Sequence, residues 1–134
     1  MAATPATVFS YLVEPEKFVL WMGLEARIDP TPGGKFWLDV DGEHIAAGRY
    51  ALIEPPHRLV LTWGWEGNRD VPPESTTVEI TLTELPQGTL LRLRHSGLPS
   101  EAERESHRDG WLRYATKLQG LLASSGGRQP FTRV

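Results

Sequence analysis

The chain has no cysteine among its 134 residues, which excludes disulfides, thiolate nucleophiles and thiolate metal sites together. Its longest apolar runs are five or six residues, far short of the ~20 needed to span a bilayer. Basic residues are the minority, 14 against 17 acidic for a net charge of −3. With no basic stripe to grip phosphate backbones, nucleic-acid binding is not expected. His44, His57, His95 and His107 include no i, i+4 pair and no cluster with carboxylates at ligand spacing. Neither a metal nor another cofactor is therefore expected. The opening Met1-Ala-Ala-Thr-Pro lacks the basic segment and apolar stretch of a secretory signal, and a cytoplasmic setting is the expectation. Gly33-Gly34-Lys35 precedes a strand pattern where a phosphate loop needs a helix N-terminus, so it reads as a turn. Ser96-Gly97 and Ser124-Ser125-Gly126 lack the surroundings of a nucleophile elbow.

What is present suits one globular domain. Hydrophobic residues make 40% and charged residues 23% of the chain, ordinary values for a folded protein. Thirteen Gly and eleven Pro exceed the usual ~12% share and suit many turns between short strands. Five Trp are many for this length.

The hydrophobic period changes twice along the chain. Thr4-Pro5 reads as an N-cap and first helical position, followed by an apolar face of Val8, Phe9, Tyr11 and Leu12. Pro15 starts a second short helix, predicted to run through Met22 and close at Gly23. From Leu24 the period is two: Leu24, Ala26, Ile28; then Phe36, Leu38, Val40; then 44–53, with a bulge expected at Gly48. Leu59, Leu61, Trp63 and Trp65 share a face of the next strand. Thr76, Val78, Ile80 and Leu82 form the cleanest half-buried strand, and Leu91, Leu93 and His95 follow. After Pro99 the period returns to 3.6, with Ser100-Glu101-Ala102-Glu103 as a capping box and Trp111, Ala115, Leu118 and Leu122 as the apolar stripe.

The predicted order is two short helices, six strands and one long C-terminal helix over residues 1–123, with 124–134 expected as a flexible tail. A curved antiparallel sheet needs one face covered, and the helix 100–123 is the one element long enough to cover it. Such a sheet cannot touch a single helix along its full width, so a cavity is expected between them. The fold class is α+β.

These residues stand in the order of a known family: Pro5-x-x-Val8-Phe9, Pro15-Glu16, Trp21, Asp29-Pro30-x-Pro32-Gly33-Gly34-x-Phe36, Gly48, Pro55-Pro56-x-Arg58-Leu59, Thr62-Trp63, Ser75-Thr76-x-Val78, Gly88-Thr89, His95-x-Gly97-Leu98 and His107-x-x-Gly110-Trp111. Over roughly residues 3–122 the chain resembles a START-like (SRPBCC) domain. Within that superfamily it resembles the subfamily named after the activator of the heat-shock-protein-90 ATPase. The resemblance implies a helix-grip fold, with a curved antiparallel sheet around a long C-terminal helix and a cavity between them. It also implies a strand before the first helix, which is missing here. A product extended at its N-terminus is therefore expected to be more stable or less associated, and the exposed edge to pair with a second chain or with its own tail. A homodimer is one expected outcome.

The candidate ligand-binding residues are Trp21, Tyr50, Trp63, His95, Trp111 and Tyr114. His95 falls in register with Leu91 and Leu93 and so points inward, as a ligand contact or as a pin between strand and helix. Trp63 and Tyr50 are expected as cavity wall or core, Trp65 nearer the rim, and Trp21 with Phe18 as a lid or as packing. Gly110 is read as permitting close approach of a strand or ligand beside Trp111, or as helix–sheet packing. Trp37 points outward, where it marks a partner surface or nothing. Asp29 and Glu54 are read as solvated acids, and Arg92 and Arg94 as a solvent face opposite His95. The leading expectation is a module that binds a small, largely apolar molecule. The alternatives are a cyclase- or hydrolase-like enzyme using His95 as acid or base, and a chaperone-ATPase-activator-like interaction protein. Chaperone binding is the least expected of the three.

Overall fold

The computed structural model describes residues 1–123 and the short strand Thr132–Arg133; apart from that strand, the expected tail lies outside the described residues. Helix α1, Pro5–Val13, starts as its sequence predicts: Thr4 Oγ1 accepts from the Thr7 amide at 3.3 Å and Pro5 occupies the first turn. Helix α2, Pro15–Phe18, is a single turn, shorter than the predicted 15–22. Beyond Phe18 the amides of Leu20 and Trp21 bond to carbonyls three residues back, of Lys17 and Phe18. This tighter turn puts Trp21 and Met22 into the core, both 3% exposed. Gly23, at φ 95°, then passes so close to the next layer that a Cβ would lie 2.6 Å from Leu38 Cδ1.

Six strands follow as an antiparallel meander in chain order: β1 Glu25–Ile28, β2 Lys35–Asp39, β3 Ile45–Glu54, β4 Arg58–Trp63, β5 Thr76–Leu85 and β6 Gly88–Ser96. Inward Val78, Ile80, Leu82, Leu91 and Leu93 are buried, as the period-two pattern requires. The bulge in β3 lies between Tyr50 and Leu52 and not at Gly48. Gly48 serves a different need: a Cβ there would collide with the Thr62 carbonyl of β4. Strand β4 stops at Trp63, short of the predicted Trp65. A side chain on Gly64 would strike the Pro72 carbonyl, and Trp65 instead makes an isolated bridge to Ala46 of β3.

No strand precedes α1 among the described residues. Residues 1–3 lie against the start of β6: the Thr89 amide donates to Met1 O at 2.9 Å, and Thr89 Oγ1 donates to Ala3 O at 2.7 Å. The strand β7, Thr132–Arg133, runs parallel to β6 at Leu91 and Arg92.

Helix α3, Glu101–Ala123, is capped by Ser100, whose Oγ accepts from the Glu103 amide at 3.1 Å. Its buried residues are Trp111, Ala115, Leu118 and Leu122, the stripe that periodicity predicts. Trp111, Leu118 and Leu122 join Val8, Phe9, Leu12, Phe36, Leu38, Tyr50 and the inward residues of β4–β6 in one core. Curved sheet, short N-terminal helices and long C-terminal helix make an α+β helix-grip fold. Among the described residues, no helix is long and apolar enough to cross a membrane.

Candidate functional site

The first half of α3 does not close down on the sheet. Between it, the β2–β3 turn and the loop after β4 lies a cleft of about 500 Å³. Met22, Val40 and Ile45 line one side, Trp63 and Trp65 the floor, and Gly110, Trp111 and Tyr114 the helix side. Asp41, His44, Glu66, Asn68, Glu103, Ser106, His107 and Arg113 supply its polar groups. Two turns shape it locally. Asp41 Oδ1 accepts from the amides of Glu43 and His44 at 3.0 and 2.8 Å, and Asn68 Oδ1 accepts from Asp70 and Val71, both at 2.9 Å. Each is an Asx turn built from the residue type that favours it.

The wall is a packed set of indoles. The Trp63 ring centroid is 5.0 Å from Trp111 and 5.5 Å from Trp65, the latter edge-on at 90°. Trp63 is 1% exposed, and its indole Nε1–H has no acceptor among the described residues. A buried donor left unsatisfied costs about 1–3 kcal/mol, and every other Trp whose N–H turns inward here has a partner. Trp65 Nε1 donates to His107 Nε2 and Trp111 Nε1 to His95 Nδ1, both at 3.0 Å. Trp21 Nε1 donates to the Tyr11 carbonyl at 2.9 Å.

Those bonds dictate two tautomers, because an indole N–H only donates. His95 Nδ1 accepts, so its proton sits on Nε2 and is donated to Thr76 Oγ1 at 2.8 Å; the Thr76 hydroxyl in turn donates to Trp63 O. His107 Nε2 accepts, so its Nδ1–H donates to the Glu103 carbonyl at 2.8 Å. The two rings lie 5.0 Å apart. Burial, and secondarily the charge His107 would carry, lower the His95 pKa to about 4. His95 is thus neutral near pH 7 and joins β6, β5 and α3 with both nitrogens in use.

His44 differs. Its Nδ1 lies 2.8 Å from Asp41 Oδ2, and that hydrogen bond, then the carboxylate charge, raises its pKa. Its Nε2 makes no hydrogen bond among the described residues, and the exposed ring lines the cleft.

The six residues picked from sequence therefore divide. Trp63, Trp111 and Tyr114 meet on the cleft. Trp21 and Tyr50 lie deeper, in the core beside Phe18 and Phe36, where Tyr50 is 1% exposed. His95 stands behind Trp111, on a second cleft. No strand approaches Gly110: a Cβ on it would meet nothing within 4 Å, because it faces the cleft. Trp37 does face outward, with the Arg27 guanidinium 4.6 Å over its ring. Sequence reasoning missed His44, Asp41 and His107 as site residues, while Trp65, expected near the rim, lines the cleft. The Asp41-Gly42-x-His44 turn was a visible signal; the approach of His107 to Trp65, 42 residues away in the chain, left none.

The sequence profile of the family described as "Activator of Hsp90 ATPase homolog 1-like protein" matches residues 2–123. No curated protein matches the chain. An AHSA1-like protein of Rhizobium etli, solved by NMR, is 43% identical over 98% of this chain and 82% of its own, with a TM-score of 0.71. CalU16 of Micromonospora echinospora is 31% identical over 92% of this chain and 71% of its own, with a TM-score of 0.72. An HSP90 activator from Plasmodium falciparum shares the fold at a TM-score of 0.72, with 22% identity over 91% of this chain and 90% of its own. With nearly the whole folded region matched, the chain belongs to the family of activator of Hsp90 ATPase homolog 1-like proteins.

Proposed function

We propose that the protein binds a small, largely apolar molecule in the cleft between α3 and the ends of β2–β4. The observation that carries this reading is the wall of Trp63, Trp65 and Trp111 along the cleft. Large rigid aromatics present area to a planar or apolar body at little entropic cost. The volume of about 500 Å³ falls in the ~300–1,000 Å³ range of small-molecule sites. The polar groups stand at the mouth, where His44 Nε2 is free to bond a ligand's polar end.

The test uses Gly110, whose missing side chain faces the opening. Titration with uncharged planar aromatics, 1-naphthol among them, should give saturable quenching of Trp fluorescence, and Gly110→Phe should abolish it without unfolding the protein. Equal quenching in both proteins sinks the reading.

The Asp41–His44 pair supports a second reading, an enzyme. A carboxylate that orients one imidazole nitrogen and leaves the other facing a pocket has the arrangement of a general base. His95, the acid or base expected from sequence, has no nitrogen left for substrate. Turnover of any ester or ketone substrate with a pH profile lost in His44→Gln would favour catalysis. A chaperone role rests on the family description and on a Plasmodium protein similar in fold alone.

A further inference from the structure

A second opening lies on the other side of Trp111. Leu93, Leu98 and Trp111 floor a cleft of about 270 Å³, and Arg94, Arg104 and Arg108 line it. Arg94, expected from sequence on a solvent face opposite His95, lines the same cleft as His95 from the end of β6. The other two stand one turn apart on α3, so the i, i+4 pairing brings like charges together. The chain as a whole carries net charge −3, yet these three guanidiniums have no acid partner among the described residues.

Four other basic side chains are mated, Lys17 with Glu14, Arg27 with Glu25, Arg49 with Glu74, and Arg58 with Glu54 and Glu79, whereas Lys35, Arg69, Arg92, Arg113 and Lys117 form no ion pair among the described residues. What sets the three arginines apart is that they line one cleft. Glu79 is the residue opposite Arg94 in the β5–β6 register, but its carboxylate already holds Arg58 Nε at 2.7 Å. Glu101 and Glu105 precede Arg104 and Arg108 by three positions on α3, and Asp109 follows Arg108. None of them forms an ion pair there. Guanidinium is the group suited to bidentate recognition of phosphate or carboxylate, and three together beside an apolar floor define a complementary ligand.

We propose that this cleft is an anion site, distinct from the aromatic one, for a soluble small molecule that joins a phosphate or carboxylate to an apolar body. The charged group would lie among Arg94, Arg104 and Arg108, and the body against Leu93, Leu98 and Trp111.

Phenyl phosphate is the probe, followed through the indole N–H resonances of ¹⁵N-labelled protein. It should shift Trp111 saturably and leave Trp65 in place, bind more tightly than inorganic phosphate, and weaken as salt rises. Arg104→Gln with Arg108→Gln should weaken it by about tenfold or more, and Arg94→Gln alone by less. All three positions are exposed, and an unchanged circular dichroism spectrum checks that each variant folds; Arg69→Gln, in the loop after β4, should change nothing. Affinity indifferent to the arginines overturns the proposal. So does a shift of Trp63 and Trp65, which would place the probe in the aromatic cleft. Sedimentation with phosphatidic-acid vesicles without any response to phenyl phosphate would overturn it in favour of a lipid surface. Because Trp63 and Trp65 line the aromatic cleft and not this one, failure here leaves the aromatic cleft untouched.

Discussion

At the scale of single residues, hydrogen-bond direction decides what each imidazole can do. His95 accepts from Trp111 and donates to Thr76, so a second proton has to displace the indole. The folded imidazole takes that proton only near pH 4, against 6.5 when unexposed to the fold, and the unfolded chain binds more protons between those values. The stability this residue contributes is complete above pH 6.5 and is lost as pH falls toward 4, by at most about 3 kcal/mol. Urea denaturation of the wild type and of His95→Gln across that window should show their difference shrinking as pH falls. A constant difference would mean that His95 is not held neutral. Trp111→Phe removes the donor to Nδ1, so the His95 pKa followed by NMR should rise toward its ordinary value, with a loss of about 1–3 kcal/mol in stability. His44 behaves oppositely: its link to Asp41 favours the charged ring, and Asp41→Asn should lower its pKa.

At the scale of elements, glycines separate the packed half of the fold from the open half. Gly110 lies within α3, yet a Cβ there meets nothing. Gly110→Ala should therefore stabilise the protein by about 0.5–1 kcal/mol through helix propensity alone. Gly48→Ala should be strongly destabilising, since its Cβ would meet the Thr62 carbonyl of the neighbouring strand, and chemical denaturation separates the two cases. Ser100→Ala removes the α3 cap and should cost about 1 kcal/mol. Both glycines look alike in sequence: one sits in a strand pattern, the other in a helix pattern, and each was read as a special backbone feature. The distinction depends on which chain segment passes across, and local pattern carries nothing of that. The end of α2 was misplaced for a related reason. Phe18-Val19-Leu20-Trp21-Met22 is apolar enough for a helix, but burying Trp21 and Met22 against β2 requires the chain to tighten.

At the scale of the whole molecule, the architecture was legible because periods of two and 3.6 succeed one another cleanly between Pro- and Gly-rich turns. The stripe Trp111, Ala115, Leu118, Leu122 is buried as predicted, and it determines which face of the sheet is the core. The site was legible by half. Trp63, Trp111 and Tyr114 could be placed from alternation and helical spacing. Tyr50 and Trp21 could not be told apart from them, since large inward aromatics read alike whether they fill the core or face an opening. The division of the space under α3 into two clefts depends on the His95–Trp111 hydrogen bond, between residues 16 apart in sequence, and no periodicity reveals it.

The five tryptophans provide the most direct measurement of the central claim. In ¹⁵N-labelled protein titrated with 1-naphthol, the indole N–H signals of Trp63, Trp65 and Trp111 should shift saturably. Trp65 should shift most as the more open of the three, and core Trp21 and outward Trp37 should stay in place. No shift, or an equal drift of all five, would contradict a ligand seated against the indole wall.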